Sequence, residues 1–187
     1  MRKLRTIEMN RLSVDQFRQS EKLPLIVVLD DVRSLHNVGS VFRTCDAFRV
    51  EALWLCGITA IPTDTKNGVR AEIHKTALGA EESVSWQYFP TAQEAVRQLH
   101  DNHFSVFAIE QAEGSTPLQQ FRVQDTQPRG CAVILGNEVK GVHQEVIDLC
   151  DGCLEIPQFG TKHSMNVSVA AGIVIWEFAR QLLLIDH

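Results

Sequence analysis

Pro24-Leu-Ile-Val-Val-Leu29 is an unbroken apolar run rich in β-branched residues, the pattern of a strand buried on both faces of a parallel sheet. Residues 37–48 follow with helical character, and further strand-like runs occupy residues 51–55, 104–109, 131–135 and 153–156. Helical stretches separate several of them. In one, residues 91–100, Thr91 is placed as an N-cap with Glu94 as its capping-box partner. Strands alternating with helices predict right-handed βαβ crossovers, hence an α/β fold with a mostly parallel sheet and helices on both faces. The ends differ from this middle. Residues 1–22 carry six basic and three acidic residues, and Ser13-Val-Asp-Gln16 reads as a helix start, so a short basic helical appendage precedes a domain of residues 23–187. The chain closes on a helix over residues 164–184 whose first half is small and apolar, a surface suited to close packing against a neighbour or a second subunit.

With 187 residues, 44% hydrophobic and 22% charged, the composition suits one globular domain and excludes disordered and collagen-like chains. The longest apolar stretches, residues 25–29 and 169–176, fall short of the roughly 18 to 20 residues of a spanning helix. The basic start Met1-Arg-Lys-Leu-Arg5 runs into Thr6, Glu8, Asn10 and Arg11 with no apolar region of a signal peptide, which predicts a cytoplasmic chain. Five cysteines, an odd number, fit a reduced compartment. Cys150-Asp-Gly-Cys153 lacks the second pair that a zinc tetrahedron needs, and the cysteines read as small buried hydrophobes.

In open α/β sheets ligands collect beyond the carboxyl ends of the strands, so the loops there carry the chemistry. After the first strand comes Arg33-Ser-Leu-His-Asn37-Val-Gly39-Ser40-Val-Phe-Arg43-Thr44. Asn37 and Ser40 can cap a helix, Gly39 admits a ligand to the backbone, and Arg43 lies one turn on, so an anion such as an RNA phosphate fits as well as a plain capped helix does. After residues 131–135 comes Gly136-Asn-Glu138-Val-Lys-Gly141-Val142-His143. A phosphate-binding loop requires Lys and Ser or Thr directly after its second glycine, so this loop reads as a turn or as the wall of a different ligand site. After residues 153–156 come Gly160, Ser164 and Asn166, flanking the start of the last helix. No G-x-S-x-G, H-E-x-x-H or G-x-G-x-x-G motif is present.

Together the segments Asn37-x-Gly39-Ser40-x-x-Arg43-Thr44, Leu135-Gly136-Asn137-Glu138-x-x-Gly141 and Ile156-Pro157-x-x-Gly160-x-x-x-Ser164-Met165-Asn166-Val167-Ser168 resemble the three ordered signature motifs of the SpoU (TrmH-like) family of RNA 2′-O-ribose methyltransferases, in the SPOUT superfamily. The similarity covers residues 24–184. It implies a C-terminal deep trefoil knot, a homodimer with the active site at the subunit interface, S-adenosylmethionine as cofactor, and tRNA or rRNA as substrate, with no metal required. Carried over by position, the cofactor touches backbone around Ala108, Ile109, Glu110, Leu135, Gly136, Ile156 and Met165, the last standing where leucine is common in the family. Arg43, Glu138, Ser164 and Asn166 form the implied catalytic constellation, supported by Asn37. An RNA-binding module of the same fold without catalysis is the rival reading; its mark would be loss of Arg43 or Asn166, and both are present.

The net charge of −5 argues against a nucleic-acid partner at first sight. The charge is uneven, however: twelve basic and nine acidic residues precede position 76, six and fourteen follow. Arg2, Lys3, Arg5, Arg11, Arg33 and Arg43 all lie in the basic part, so the sequence predicts modest, salt-sensitive RNA binding through that end.

Overall fold

The computed structural model describes residues 1–64, 68–125 and 129–183; the ends of the expected last helix (184) and domain (187) lie outside them. In chain order the elements are α1 (Val14–Gln19), β1 (Leu23–Asp30), α2 (Leu35–Ala47), β2 (Val50–Cys56), β3 (Thr63–Asp64), β4 (Gly68–Val69), α3 (Ala71–Ala77), α4 (Ala80–Ser83) and β5 (Trp86–Phe89). There follow α5 (Ala92–Asp101), β6 (Ser105–Ile109), β7 (Thr116–Pro117), β8 (Cys131–Leu135), α6 (Gln144–Ile147), β9 (Gly152–Glu155) and α7 (Val167–Leu182). Seven strands form one sheet in the order β5-β2-β1-β8-β6-β9-β7, with every pairing parallel.

The apolar run that opens the sequence is the centre of this sheet. Along β1, Leu25, Val27 and Leu29 enter the core shared with α2, α3 and α7, while Ile26 and Val28 enter the core shared with α5 and α6. A strand with partners on both faces can have no polar alternation, which is why the run reads continuously apolar. The two strands that hydropathy did not mark are at the edges. β5 pairs only with β2 and leaves Gln87 and Tyr88 exposed, and β7 has two residues with proline among them, as edge strands allow.

Helix starts follow the capping chemistry, with shifts. Ser13 caps α1 with the reciprocal Gln16 bond of a capping box, and Thr91 caps α5 through the Glu94 N–H. Helix α2 is capped by Ser34, so neither Asn37 nor Ser40 is its cap. Gly39 is buried inside α2 rather than facing a ligand: a Cβ there would lie 2.1 Å from Thr76 Oγ1 and 2.3 Å from the Ile73 carbonyl oxygen. The missing side chain lets α3 cross α2 closely, and Thr76 seals the crossing by donating to the His36 carbonyl at 3.0 Å. Helix α7 starts at Val167 with Asn166 as its cap, leaving Ser164 in the preceding loop rather than in the helix. The N-terminal segment is docked as well: Phe17 is buried in the main core and Arg18 Nη2 donates to the Glu82 carbonyl at 2.7 Å. Cys45, Cys56 and Cys131 are buried, whereas Cys150 and Cys153 are only half-buried; all five are free thiols.

Candidate active site

At the carboxyl ends of β6, β8 and β9 three loops meet around a cavity of about 650 Å³, within the range of roughly 300–1,000 Å³ of small-ligand sites. The first contributor is the turn 136–141. Its ends are clamped by the Asn137 N–H on the Gly141 carbonyl (3.1 Å) and the Gly141 N–H on the Asn137 carbonyl (2.8 Å). The Asn137 side chain ties it inside and out: its Oδ1 accepts from the N–H groups of Val139 and Lys140, and its Nδ2 donates to the Asp31 carbonyl at 2.7 Å. Glu110, just past β6, accepts from the Val142 N–H at 3.1 Å, so one carboxylate holds the far side of the turn while lining the cavity. The loop after β9 is held over the cavity by Gln111, whose Nε2 donates to the His163 carbonyl at 2.7 Å.

A second arrangement joins the three sequence motifs. Glu138 accepts from the N–H groups of Arg33 and Ser34, both at 3.0 Å, and from Asn37 Nδ2 at 3.1 Å. Asn37 Oδ1 in turn accepts from Asn166 Nδ2 at 3.1 Å, and Asn166 Oδ1 caps α7 through the Ser168 N–H at 2.8 Å. The anion at the start of α2 is therefore supplied by the chain itself. The N–H groups expected to await a phosphate are occupied by Glu138, whose negative charge suits the positive end of the helix. Burial pushes the Glu138 carboxyl up, but the N–H groups of Arg33 and Ser34 and the Asn37 amide outweigh this and hold it below the ordinary value of 4.5.

A depressed carboxyl stabilises the fold fully above its unfolded value and loses that effect as pH falls through the folded one. Glu138→Gln is expected to cost about 1 kcal/mol at neutral pH, below the range for buried charge-assisted bonds because Glu138 is exposed. The cost should vanish in acid below the folded value. Urea unfolding over a pH series descending from 7 measures both; equal stability at pH 7 would exclude the clamp.

Of the residues expected to hold a cofactor, Ile109, Glu110, Leu135, Gly136, Ile156 and Met165 line the cavity. Ala108 does not. It is fully buried on the α5/α6 face of the sheet, because consecutive strand residues point to opposite faces. Glu138 and Ser164 also line the cavity, whereas Asn37 and Asn166 are joined to it through Glu138. Arg43 stands apart: it is exposed on α2, six residues or about 9 Å along the helix from Asn37, and its side chain makes no hydrogen bond or ion pair among the described residues. Among the N-terminal cations, Arg2 and Arg5 are both paired with Glu8, at 3.0 and 3.7 Å, while Lys3 and Arg11 are exposed. Asn137 and Gln111 were not among the expected site residues. The Asn-x-x-x-Gly turn is a local signal that identifies Asn137, but Gln111 meets its partner 52 positions away and has no such signal.

A sequence profile of the SpoU rRNA Methylase family matches residues 24–176. The 23S rRNA (guanosine-2′-O-)-methyltransferase RlmB of Neisseria meningitidis serogroup B is 33% identical over 161 residues, 86% of this chain and 60% of that protein. The tRNA (guanosine(18)-2′-O)-methyltransferase of Thermus thermophilus is 32% identical over 177 residues, 94% of this chain and 84% of its own. Among solved structures, the A. aeolicus TrmH/SpoU tRNA modifying enzyme superposes with a TM-score of 0.73 at 26% identity, covering 90% of this chain and 81% of that one. An AdoMet-bound rRNA methyltransferase from Sinorhizobium meliloti gives 0.76 at 26%, covering 92% and 62%.

Proposed function

Because the chain belongs to the SpoU rRNA Methylase family, we propose that it transfers a methyl group from S-adenosylmethionine to a ribose 2′-hydroxyl of tRNA or rRNA. The observation that carries this reading is the hydrogen-bonded series Glu138–Asn37–Asn166, which links the three motifs at the rim of one cavity. Relatives named as guanosine 2′-O-methyltransferases of tRNA and of 23S rRNA support the RNA substrate, and an AdoMet-bound relative supports the cofactor. The cavity suits that cofactor: Ile109, Leu135, Ile156 and Met165 offer apolar surface, and Glu110 and Gln111 offer polar groups beside it.

When bound, S-adenosylmethionine supplies an electrophilic methyl group on a positively charged sulfur. The chain has to orient the ribose and stabilise the oxygen as its proton passes to solvent water. Asn166 and Ser164 are the residues that orient the ribose. Asn37 and Glu138 are positioning residues that hold the Asn166 amide. Arg43 grips the neighbouring phosphate and stabilises the developing alkoxide, since a guanidinium keeps its protons and donates in pairs.

The reading includes a homodimer. Val169, Ile173 and Trp176 stand at i, i+4 and i+7 on α7 and are 53%, 37% and 48% exposed, an apolar stripe suited to a second copy. Arg43 does not line the cavity of its own chain, which favours a site completed across the dimer. Trp176→Glu is expected to raise the dimer dissociation constant about 30-fold or more, the effect of losing a hot spot of about 2 kcal/mol. Sedimentation equilibrium reads this directly, and an unchanged mass would move the interface elsewhere. The reading further takes residues 1–22 as a basic RNA-contacting appendage on a catalytic domain starting at residue 23, a trefoil knot in the C-terminal part of that domain, and a cytoplasmic location.

The test is to incubate the chain with labelled S-adenosylmethionine and unmodified tRNA or 23S rRNA, then map 2′-O-methylation, with Asn166→Ala as control. Label on a ribose supports the reading. Absence of both label and cofactor binding overturns it.

A further inference from the structure

Outside the N-terminal segment, the two most exposed large apolar side chains among the described residues are Phe159, at 97%, and Val139, at 82%. Both sit on loops that border the 650 Å³ cavity: Val139 lines it, and Phe159 stands between Gln158 and His163, which do so as well. The other two exposed aromatic residues are engaged. Tyr88 donates to the Gly57 carbonyl at 3.0 Å, and Trp176 packs edge-on against Phe48 at 5.9 Å. Phe159 meets no other ring among the described residues, and a Cβ on its neighbour Gly160 would touch nothing within 4 Å. The loop that carries it is nonetheless fixed, through the Gln111 bond to the His163 carbonyl at 2.7 Å.

A single exposed apolar residue is ordinary, but two at the border of one cavity form a surface that a ligand can cover. The surroundings select the partner. Residues 156–166 hold Lys162 and no carboxylate, within a part of the chain, residues 76–187, that has fourteen acidic residues and six basic. Lys162 is exposed, and its side chain makes no hydrogen bond or ion pair among the described residues. A free ring three residues from a free cation suits single-stranded nucleic acid, whose base stacks on the ring while its phosphate meets the charge. A duplex keeps its bases stacked on one another and offers the ring nothing. An apolar protein surface would fit the ring but not the cation.

We propose that Phe159 stacks on an unpaired base beside the methylated nucleotide while Lys162 holds a phosphate of the same strand, so that the substrate is an RNA loop rather than a helix; this rests on the RNA reading above. The probe is an RNA hairpin with 2-aminopurine in its loop, titrated into the full chain without methyl donor, and a blunt RNA duplex with 2-aminopurine paired inside it forms the parallel arm. Quenching of the loop fluorophore should saturate. Phe159→Ala should weaken hairpin binding about 10-fold and leave duplex binding unchanged. Phe159→Leu should lose as much, because it has no π face, and Phe159→Trp should bind as the parent does. Lys162→Ala should flatten the dependence of log Kd on log salt by about 0.7, the share of one phosphate on a single strand. Both positions are exposed, so the variants keep the fold. Parental binding by Phe159→Leu, an equal loss on the duplex, or a changed oligomer mass in Phe159→Ala, which would assign the ring to a contact between copies, overturns the proposal. Binding of neither RNA by the parent overturns it together with the RNA reading, whereas a hairpin bound equally by parent and Phe159→Ala overturns this proposal alone.

Discussion

Arg43→Ala is expected to slow methyl transfer about 100- to 1,000-fold, the loss seen when one donor to a developing oxyanion is removed. The unfolding temperature and the affinity for S-adenosylmethionine should stay unchanged. The reason is structural: Arg43 is exposed, its side chain makes no hydrogen bond or ion pair among the described residues, and it does not line the 650 Å³ cavity. Truncating it removes nothing that the isolated fold uses. Arg43→Lys separates two roles. A lysine keeps the charge but cannot form the forked, two-point contact with a phosphate, so activity near that of the parent would exclude the bidentate grip. Single-turnover rates with saturating cofactor measure the effect, and equilibrium dialysis checks cofactor binding.

Gly136→Ala is expected to destabilise the chain by about 3 kcal/mol, the upper part of the range for overpacking, and to lower the unfolding temperature by about 6–12 °C. A Cβ at this position would lie 2.1 Å from the Gly141 carbonyl carbon, 2.2 Å from its oxygen and 2.3 Å from the Val142 nitrogen. All three are backbone atoms. They cannot swing aside as a side-chain tip would, because the turn is clamped by the Asn137–Gly141 pair and by Glu110 on the Val142 N–H. Gly136 also lines the large cavity, so cofactor affinity should fall with stability. Gly160→Ala is the control: a Cβ there meets nothing within 4 Å, and stability should be unaltered. Calorimetric melting of the two variants decides the matter, and equal melting temperatures would refute the crowding argument.

Most of the sheet was legible because hydropathy reports burial. The five runs recognised as strands are β1, β2, β6, β8 and β9, all with sheet neighbours on both sides. β5 and β7 escaped because edge strands can be short, polar or proline-bearing. The site was legible in part. Motif spacing named Glu138, Asn37 and Asn166, but it assigned the helix start to Asn37 or Ser40 and made Gly39 a point of ligand approach. Each reading failed on a different neighbour: Ser34, three positions before Asn37, captured the cap, and α3, which begins 32 residues after Gly39, needed the space there.

By itself the sequence determined the class of fold, the order of the five inner strands along the chain and the family, since apolar periodicity and motif spacing are properties of the chain read in order. Only the tertiary structure decided what occupies the start of α2, which carboxylate holds which loop, and that Asp30 is buried without a partner. Those outcomes depend on contacts between residues 32 to 105 positions apart, as for Glu110 with Val142 and Glu138 with Arg33, or on the absence of a hydrogen bond. A hydrogen bond needs about 3 Å and a defined angle, and no local pattern encodes which distant group will arrive there.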